Sequence, residues 1–211
     1  MKPLLPAVRE SLERATATFQ ASLAESPAAE YVQGRGLGPA IGAHRLGYVD
    51  QEIPGYERFV GRLAIPNICA SGVVVGIKFR DITGLDKVKY DQPAGQAARL
   101  FNLNALNTAG ESIALTEGEL DTVALSTLGI PSVGIPGASS WKRHHWRLFE
   151  GFQKVFFFGD QDDAGRALLK ALMATSLPIL PCIPPGGAND VNEALIAGRG
   201  PQLLRLFTGE K

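Results

Sequence analysis

Apolar side chains at Leu5, Val8, Leu12, Ala15, Phe19 and Leu23 recur in steps of three and four, which predicts an amphipathic helix over the first 25 residues. Ser26 ahead of Pro27 predicts a second, short helix: the hydroxyl can cap free amides, proline suits the first helical position, and Gly34 can close it. Gly34-Arg35-Gly36-Leu37-Gly38 is a turn and not a dinucleotide fingerprint, because the third glycine falls at the wrong spacing and no strand precedes it. From Arg62 to Ile82 two apolar runs flank Ala70-Ser71-Gly72, which predicts a β-hairpin.

Beyond about residue 110 the rhythm becomes strand, glycine-marked turn, helix. Strands are expected at Ser112 to Thr116, Pro131 to Ile135, Val155 to Phe158 and Ile179 to Ile183, the last an edge strand broken by Pro181. Helices are expected at Glu119 to Leu128, at Trp141 to Phe152 with Ser139 or Ser140 as cap, at Ala164 to Thr175 and at Val191 to Ala197. This alternation predicts a parallel sheet wound by right-handed crossovers. The expected organisation is an α+β unit over 1–110 and an α/β unit over 111–211.

Composition narrows the picture. Of 211 residues, 45% are hydrophobic and 20% charged, which excludes a disordered, collagenous or coiled-coil chain. Lys plus Arg and Asp plus Glu are 21 each, so no global positive field draws in a polyanion, and any such site must be local. Residues 1–110 carry 12 basic and 10 acidic side chains and 111–211 carry 9 and 11, a modest polarity inside that neutrality. Two cysteines, Cys69 and Cys182, cannot form a four-thiolate zinc site or a disulfide framework. With no apolar run long enough to span a bilayer and no signal-like start, the expected location is the cytoplasm.

The acids carry the chemistry. In a parallel sheet functional side chains gather outside the carboxyl ends of the strands. Glu117 follows the strand ending at Thr116, Asp160 and Asp162 follow the strand ending at Phe158, and Asp190 follows the strand near Ile183. Carboxylates converging at one rim disfavour each other's ionisation, and a divalent cation removes that cost. Oxygen ligands without histidine or cysteine favour Mg²⁺ or Mn²⁺ over zinc. Taken alone, Gly159-Asp160-Gln161-Asp162-Asp163 is equally a turn with an N-cap.

Thr116-Glu117-Gly118-Glu119-Leu120-Asp121 together with Asp160-Gln161-Asp162 and Gly165-Arg166 resembles the Toprim domain of bacterial-type primases, topoisomerases and certain nucleases. Upstream, Tyr31-Val32-Gln33-Gly34-Arg35-Gly36-Leu37, Gly61-Arg62-Leu63-Ala64-Ile65-Pro66, Val75-Gly76-Ile77-Lys78-Phe79-Arg80, Lys87-Val88-Lys89-Tyr90 and Leu100-Phe101-Asn102-Leu103 resemble, in order, the N-terminal half of the DnaG-like primase core. Gly134-Ile135-Pro136-Gly137-Ala138-Ser139-Ser140 is similar to phage primase-helicases. The resemblance implies a Rossmann-like Toprim fold preceded by a smaller α+β primase subdomain, in a phage-type core without zinc-binding or helicase modules.

It also implies roles. Glu117 would ligate Mg²⁺ or Mn²⁺ or act as general base, Asp160 and Asp162 would hold the metal of the incoming triphosphate, and Asp121 and Asp190 would be further metal acids. Arg62, Arg80, Lys89 and Tyr90 match positions that meet template or nucleotide. Where the family places a lysine before Leu-Phe-Asn-Leu this chain has Gln96-Ala97-Ala98, with Arg99 as the substitute. Asn192 stands where a family primase has another acid. The implied activity is nucleotidyl transfer: synthesis of RNA primers on single-stranded DNA from ribonucleoside triphosphates during replication, with a replicative helicase or a separate zinc-binding subunit as partner. Two alternatives stay open, a metal-dependent Toprim nuclease and a non-catalytic module binding single-stranded DNA or a helicase. Trp141-Lys142-Arg143-His144-His145-Trp146-Arg147 mixes aromatics with cations as single-strand binders do. It reads equally as aromatics packed on the sheet with the charges solvated.

Overall fold

The computed structural model describes residues 4–209; Met1 to Pro3, the start of the sequence read for targeting signals, lie outside them. Helix α1 (Pro6–Ala21) buries Leu12, Ala15 and Phe19, and leaves Leu5 and Val8 exposed. Ser26 caps α2 (Pro27–Gly34) as expected, its Oγ accepting the Ala29 amide at 3.2 Å. Helix α3 (Ile41–His44) leads into β1 (Gly47–Tyr48). The hairpin forms as read from the sequence, from β2 (Leu63–Ile68) and β3 (Val74–Arg80), and β4 (Tyr90–Asp91) completes an antiparallel sheet of order β1-β2-β3-β4. A Cβ at Gly47 would stand 2.5 Å from the Phe19 backbone carbon, so this glycine lets α1 lie directly on β1. Phe19, Phe59 and Phe79 are fully buried there, and each contributes about 2 kcal/mol by removal from water.

The second half alternates β5 (Ser112–Thr116), α4 (Glu119–Thr127), β6 (Ser132–Gly134), β7 (Lys154–Phe158), α5 (Asp163–Met173), β8 (Ile179–Cys182), α6 (Val191–Ile196) and α7 (Gly200–Thr208). All strand pairs are parallel, in the order β6-β5-β7-β8, so Ile179–Cys182 is an edge strand as its proline implied. One buried cluster joins the halves: Leu37, Leu46, Leu63 and Ile65 pack with Leu120, Val123, Phe156 and Phe158.

One expected helix does not form. Residues 141–152 instead carry a 3₁₀ segment (Arg143–Phe149) behind a shorter one (Ala138–Ser140). The chain enters through Gly137 at φ 86° and extended Trp141 and Lys142, and the Ser140 hydroxyl donates back to the Gly137 carbonyl at 2.8 Å instead of capping a helix. His145 and Phe149 then anchor the segment in the core, which overrides helical spacing.

Candidate active site

The chain leaves β5 on Glu117 and β7 on Asp160, at the same edge of the parallel sheet. Two neighbouring acids begin helices. Asp190 Oδ1 accepts the Glu193 amide at 2.7 Å at the start of α6, and Asp162 Oδ1 accepts the Gly165 amide at 2.8 Å at the start of α5. A Cβ at Gly165 would meet the Asp160 carbonyl oxygen at 2.0 Å, so only glycine lets α5 begin this close to Asp160. Glu117, Asp121, Asp160 and Asp190 line one cleft of about 390 Å³, and Arg35, Lys78, Arg80, Lys89, Tyr90 and Asn192 line it with them.

These acids raise each other's proton affinity. Burial, then Asp162, pushes Glu117 above the usual carboxylate range. Burial and the charge of Asp190 push Asp121 up to about 7, although its Oδ1 accepts the Asn192 amide at 2.9 Å. Burial and the charges of Glu117, Asp190 and Asp162 push Asp160 up to about 6, against which Lys89 works in the opposite direction. Glu117 Oε2 is buried without a hydrogen-bond partner. A charged oxygen with no donor, among carboxylates that repel it, fits a divalent cation held by oxygen ligands. Among the described residues no three of His, Cys, Asp or Glu already close on one point as a metal cage.

The basic side of the cleft is built by the hairpin. Arg80 donates from Nε to the Tyr31 hydroxyl and from Nη1 to the Tyr90 hydroxyl, and its guanidinium lies 4.8 Å from the Tyr90 ring centre. Lys78 Nζ stands 4.7 Å from the same ring centre and 2.7 Å from Glu119 Oε1. Arg35 reaches across from α2, donating to Asn192 Oδ1 at 2.6 Å, while Asn192 Nδ2 donates to the Arg35 carbonyl at 2.9 Å. Asn192, at the position where a family primase has another acid, therefore serves as a strut between the halves.

Of the residues singled out from sequence, Glu117, Asp121, Asp160, Asp190, Arg80, Lys89 and Tyr90 come together. Three do not line this cleft. Asp162 is exposed and spends an oxygen on capping α5. Arg62 is buried, ion-paired with Asp86 and donating to the Val88 carbonyl at 3.1 Å, so it clips down the 81–89 loop. Arg99 lines an adjoining cleft of about 270 Å³ with Asn67, Gln92 and Gln96. Sequence reasoning missed the placement of Arg35, Tyr31 and Glu119 in or beside the cleft. The signal for the first two was their place in the Tyr31 to Leu37 motif. Glu119 carried none beyond its position two residues after Glu117. No helix among the described residues is long and apolar enough to cross a membrane.

Comparison with known proteins follows the same lines. The Toprim-like family matches residues 114–195. Gene 57 protein of Mycobacterium phage D29 is 37% identical over 131 residues, covering 62% of this chain and 84% of that protein. A DNA primase of Pseudomonas aeruginosa is 28% identical over 134 residues, which are 59% of this chain and 20% of the primase. The crystal structure of the zinc-binding and RNA polymerase domains of Aquifex aeolicus primase superposes with a TM-score of 0.80 at 24% identity, over 96% of this chain and 60% of that one. The chain thus has the fold of a primase catalytic core and spans only part of the two primases.

Proposed function

From the premise that the chain belongs to the family of the phage D29 Gene 57 protein, with a Toprim-like segment on the fold of a primase catalytic core, we propose that it is a metal-dependent nucleotidyltransferase that makes RNA primers on single-stranded DNA. The observation that carries this reading is the unpartnered Glu117 Oε2 among Asp121, Asp160 and Asp190, in one cleft with Lys78, Arg80 and Lys89. Acids alone suit any phosphodiester chemistry. A cationic wall sharing their cleft suits a bound triphosphate in addition to a strand.

Glu117, Asp160, Asp121 and Asp190 would hold Mg²⁺ or Mn²⁺, with the charge of Asp162 acting on Glu117 and Asp160 from the start of α5. Cations held there would supply neutralisation of the acids and stabilisation of the attacking and leaving oxygens of in-line transfer. The chain's own residues do the rest. Lys89 and Arg80 bind and orient the polyphosphate, and the Tyr31 and Tyr90 hydroxyls fix the guanidinium of Arg80 so that little freedom is lost on binding. Glu117 Oε2 would take one of two roles, ligating the cation or accepting the proton of the attacking 3′-hydroxyl. Residues 1–110 would carry the strand and residues 111–211 the metal, with a helicase or a zinc-binding subunit as partner.

Manganese binding tests the reading. In a titration followed by the paramagnetic resonance of free Mn²⁺, the wild-type chain should deplete the signal, more strongly with a ribonucleoside triphosphate present. Glu117→Gln/Asp160→Asn should not. A wild-type chain that leaves the signal untouched under both conditions contradicts it.

A further inference from the structure

We propose that the exposed cations Lys142, Arg143 and Arg147 form a second contact surface for the sugar-phosphate backbone of a nucleic-acid strand, outside the acid cleft. The inference rests on the reading of the chain as a polymerase of strands, and its test separates the two.

Residues 138–149 contain two arginines, a lysine and two histidines and no acid, in a chain whose charges balance as a whole. Lys142, Arg143 and Arg147 are exposed, and none of them is among the ion pairs of the described residues. Among the described residues, the Lys142 ammonium donates to the Ser139 carbonyl at 3.2 Å. Solvated charges usually sit on mobile side chains over an indifferent backbone. Here the backbone is pinned. His145 is buried, its Nδ1 accepts the Lys142 amide at 3.1 Å, and its own amide donates to the Lys142 carbonyl at 2.9 Å. Trp141 packs edge-on against His145 at 5.4 Å, and Phe149 is fully buried behind it.

The surface also connects to the cleft. Gly137 lines the cleft, and its amide donates to the Glu117 carbonyl at 3.4 Å. Lys142 lies five residue steps on from it, a reach of at most about 18 Å, or roughly five phosphates at 3.4 Å rise. Half-exposed Trp141 and Trp146 add ring faces on which unpaired bases stack. An acidic protein is the less suitable occupant, because a stable protein interface needs an apolar centre and Leu148 is the one large apolar side chain exposed in this segment.

The test is the salt dependence of binding of a fluorescent 20-nucleotide DNA single strand to the whole chain, without divalent metal. Neutralising three phosphate contacts lowers the slope of log affinity against log salt by about 2 for a single strand. Lys142→Gln/Arg143→Gln/Arg147→Gln should therefore lose roughly 20-fold less affinity than wild type between 50 and 200 mM salt. Arg14→Gln/Lys170→Gln/Arg205→Gln, with the same net charge and all three sites exposed elsewhere, should keep the wild-type slope. Equal slopes for wild type and the first variant, or equal losses in both variants, overturn the surface and leave the active-site reading standing. A wild-type chain that ignores the strand at 50 mM salt overturns both. Tighter binding of a polyglutamate peptide than of DNA, lost in the first variant, reassigns the surface to a protein and overturns the proposal.

Discussion

Lys78 Nζ stands 2.7 Å from Glu119 Oε1, joining the third strand of the antiparallel sheet to the first turn of the helix that follows the first strand of the parallel one. Glu119 is only 5% exposed, so its charge depends on this partner. Lys78→Met should destabilise the chain by about 3 kcal/mol, because it strands a buried carboxylate. Lys78→Met/Glu119→Gln should recover much of that loss. Urea midpoints check both, and a single variant within 0.5 kcal/mol of wild type (about the scatter of ordinary surface changes) contradicts the account.

Gln96, in the Gln96-Ala97-Ala98 stretch where the family usually places a lysine, does the work of a neighbouring strand. Its Oε1 accepts the Ile77 amide at 2.9 Å and its Nε2 donates to the Ile77 carbonyl at 3.1 Å. Gln96→Leu keeps the bulk and leaves both backbone groups unpaired, a cost of about 2 kcal/mol. Hydrogen exchange at the Ile77 amide should accelerate with it.

The acid cleft makes the metal-free protein less stable than its variants. Glu117→Gln removes one of the charges that raise Asp160, and should stabilise the metal-free chain by about 1 kcal/mol. Adding Mn²⁺ should reverse the order, since ligand held by the folded state alone contributes about 2.7 kcal/mol at one hundred times its dissociation constant. Thermal midpoints with and without Mn²⁺ read both effects. The same order under both conditions counts against a metal at these acids.

Burial pushes the His44 imidazole, stacked 5.5 Å from Phe101, down to about 4. An unfolded histidine titrates near 6.5, so between those values the unfolded chain binds a proton that the folded chain refuses. The stability due to neutral His44 is fully present above pH 6.5 and is lost as pH falls through about 4. It amounts to about 3 kcal/mol over that window. His44→Phe should lose correspondingly less stability on acidification. Parallel stability curves for the two proteins would rule out the buried histidine as the cause.

The parallel sheet was legible because glycine turns and apolar runs alternate there, and the acid rim followed from the rule that strand ends carry function. Glu117, Asp160 and Asp190 stand in the cleft for that reason, while Asp121, in the first turn of α4, came from the family motif. What stayed illegible depends on contacts between distant segments. Arg62 looks like any strand-flanking cation until Asp86 folds over it. The Arg35–Asn192 strut spans 157 residues of sequence. The Trp141 to Phe152 segment has helical spacing, and only the burial of His145 and Phe149 behind the left-handed Gly137 turns it into a 3₁₀ ridge.

Primer synthesis tests the central claim most directly. The chain, alone and with a primase zinc-binding module, is incubated with a single-stranded DNA template, labelled ribonucleoside triphosphates and Mn²⁺ or Mg²⁺. The account predicts short template-dependent oligoribonucleotides from wild type and none from Asp160→Asn or Glu117→Gln. Absence of product under every condition, or metal-dependent degradation of the template with the triphosphates left intact, would contradict it.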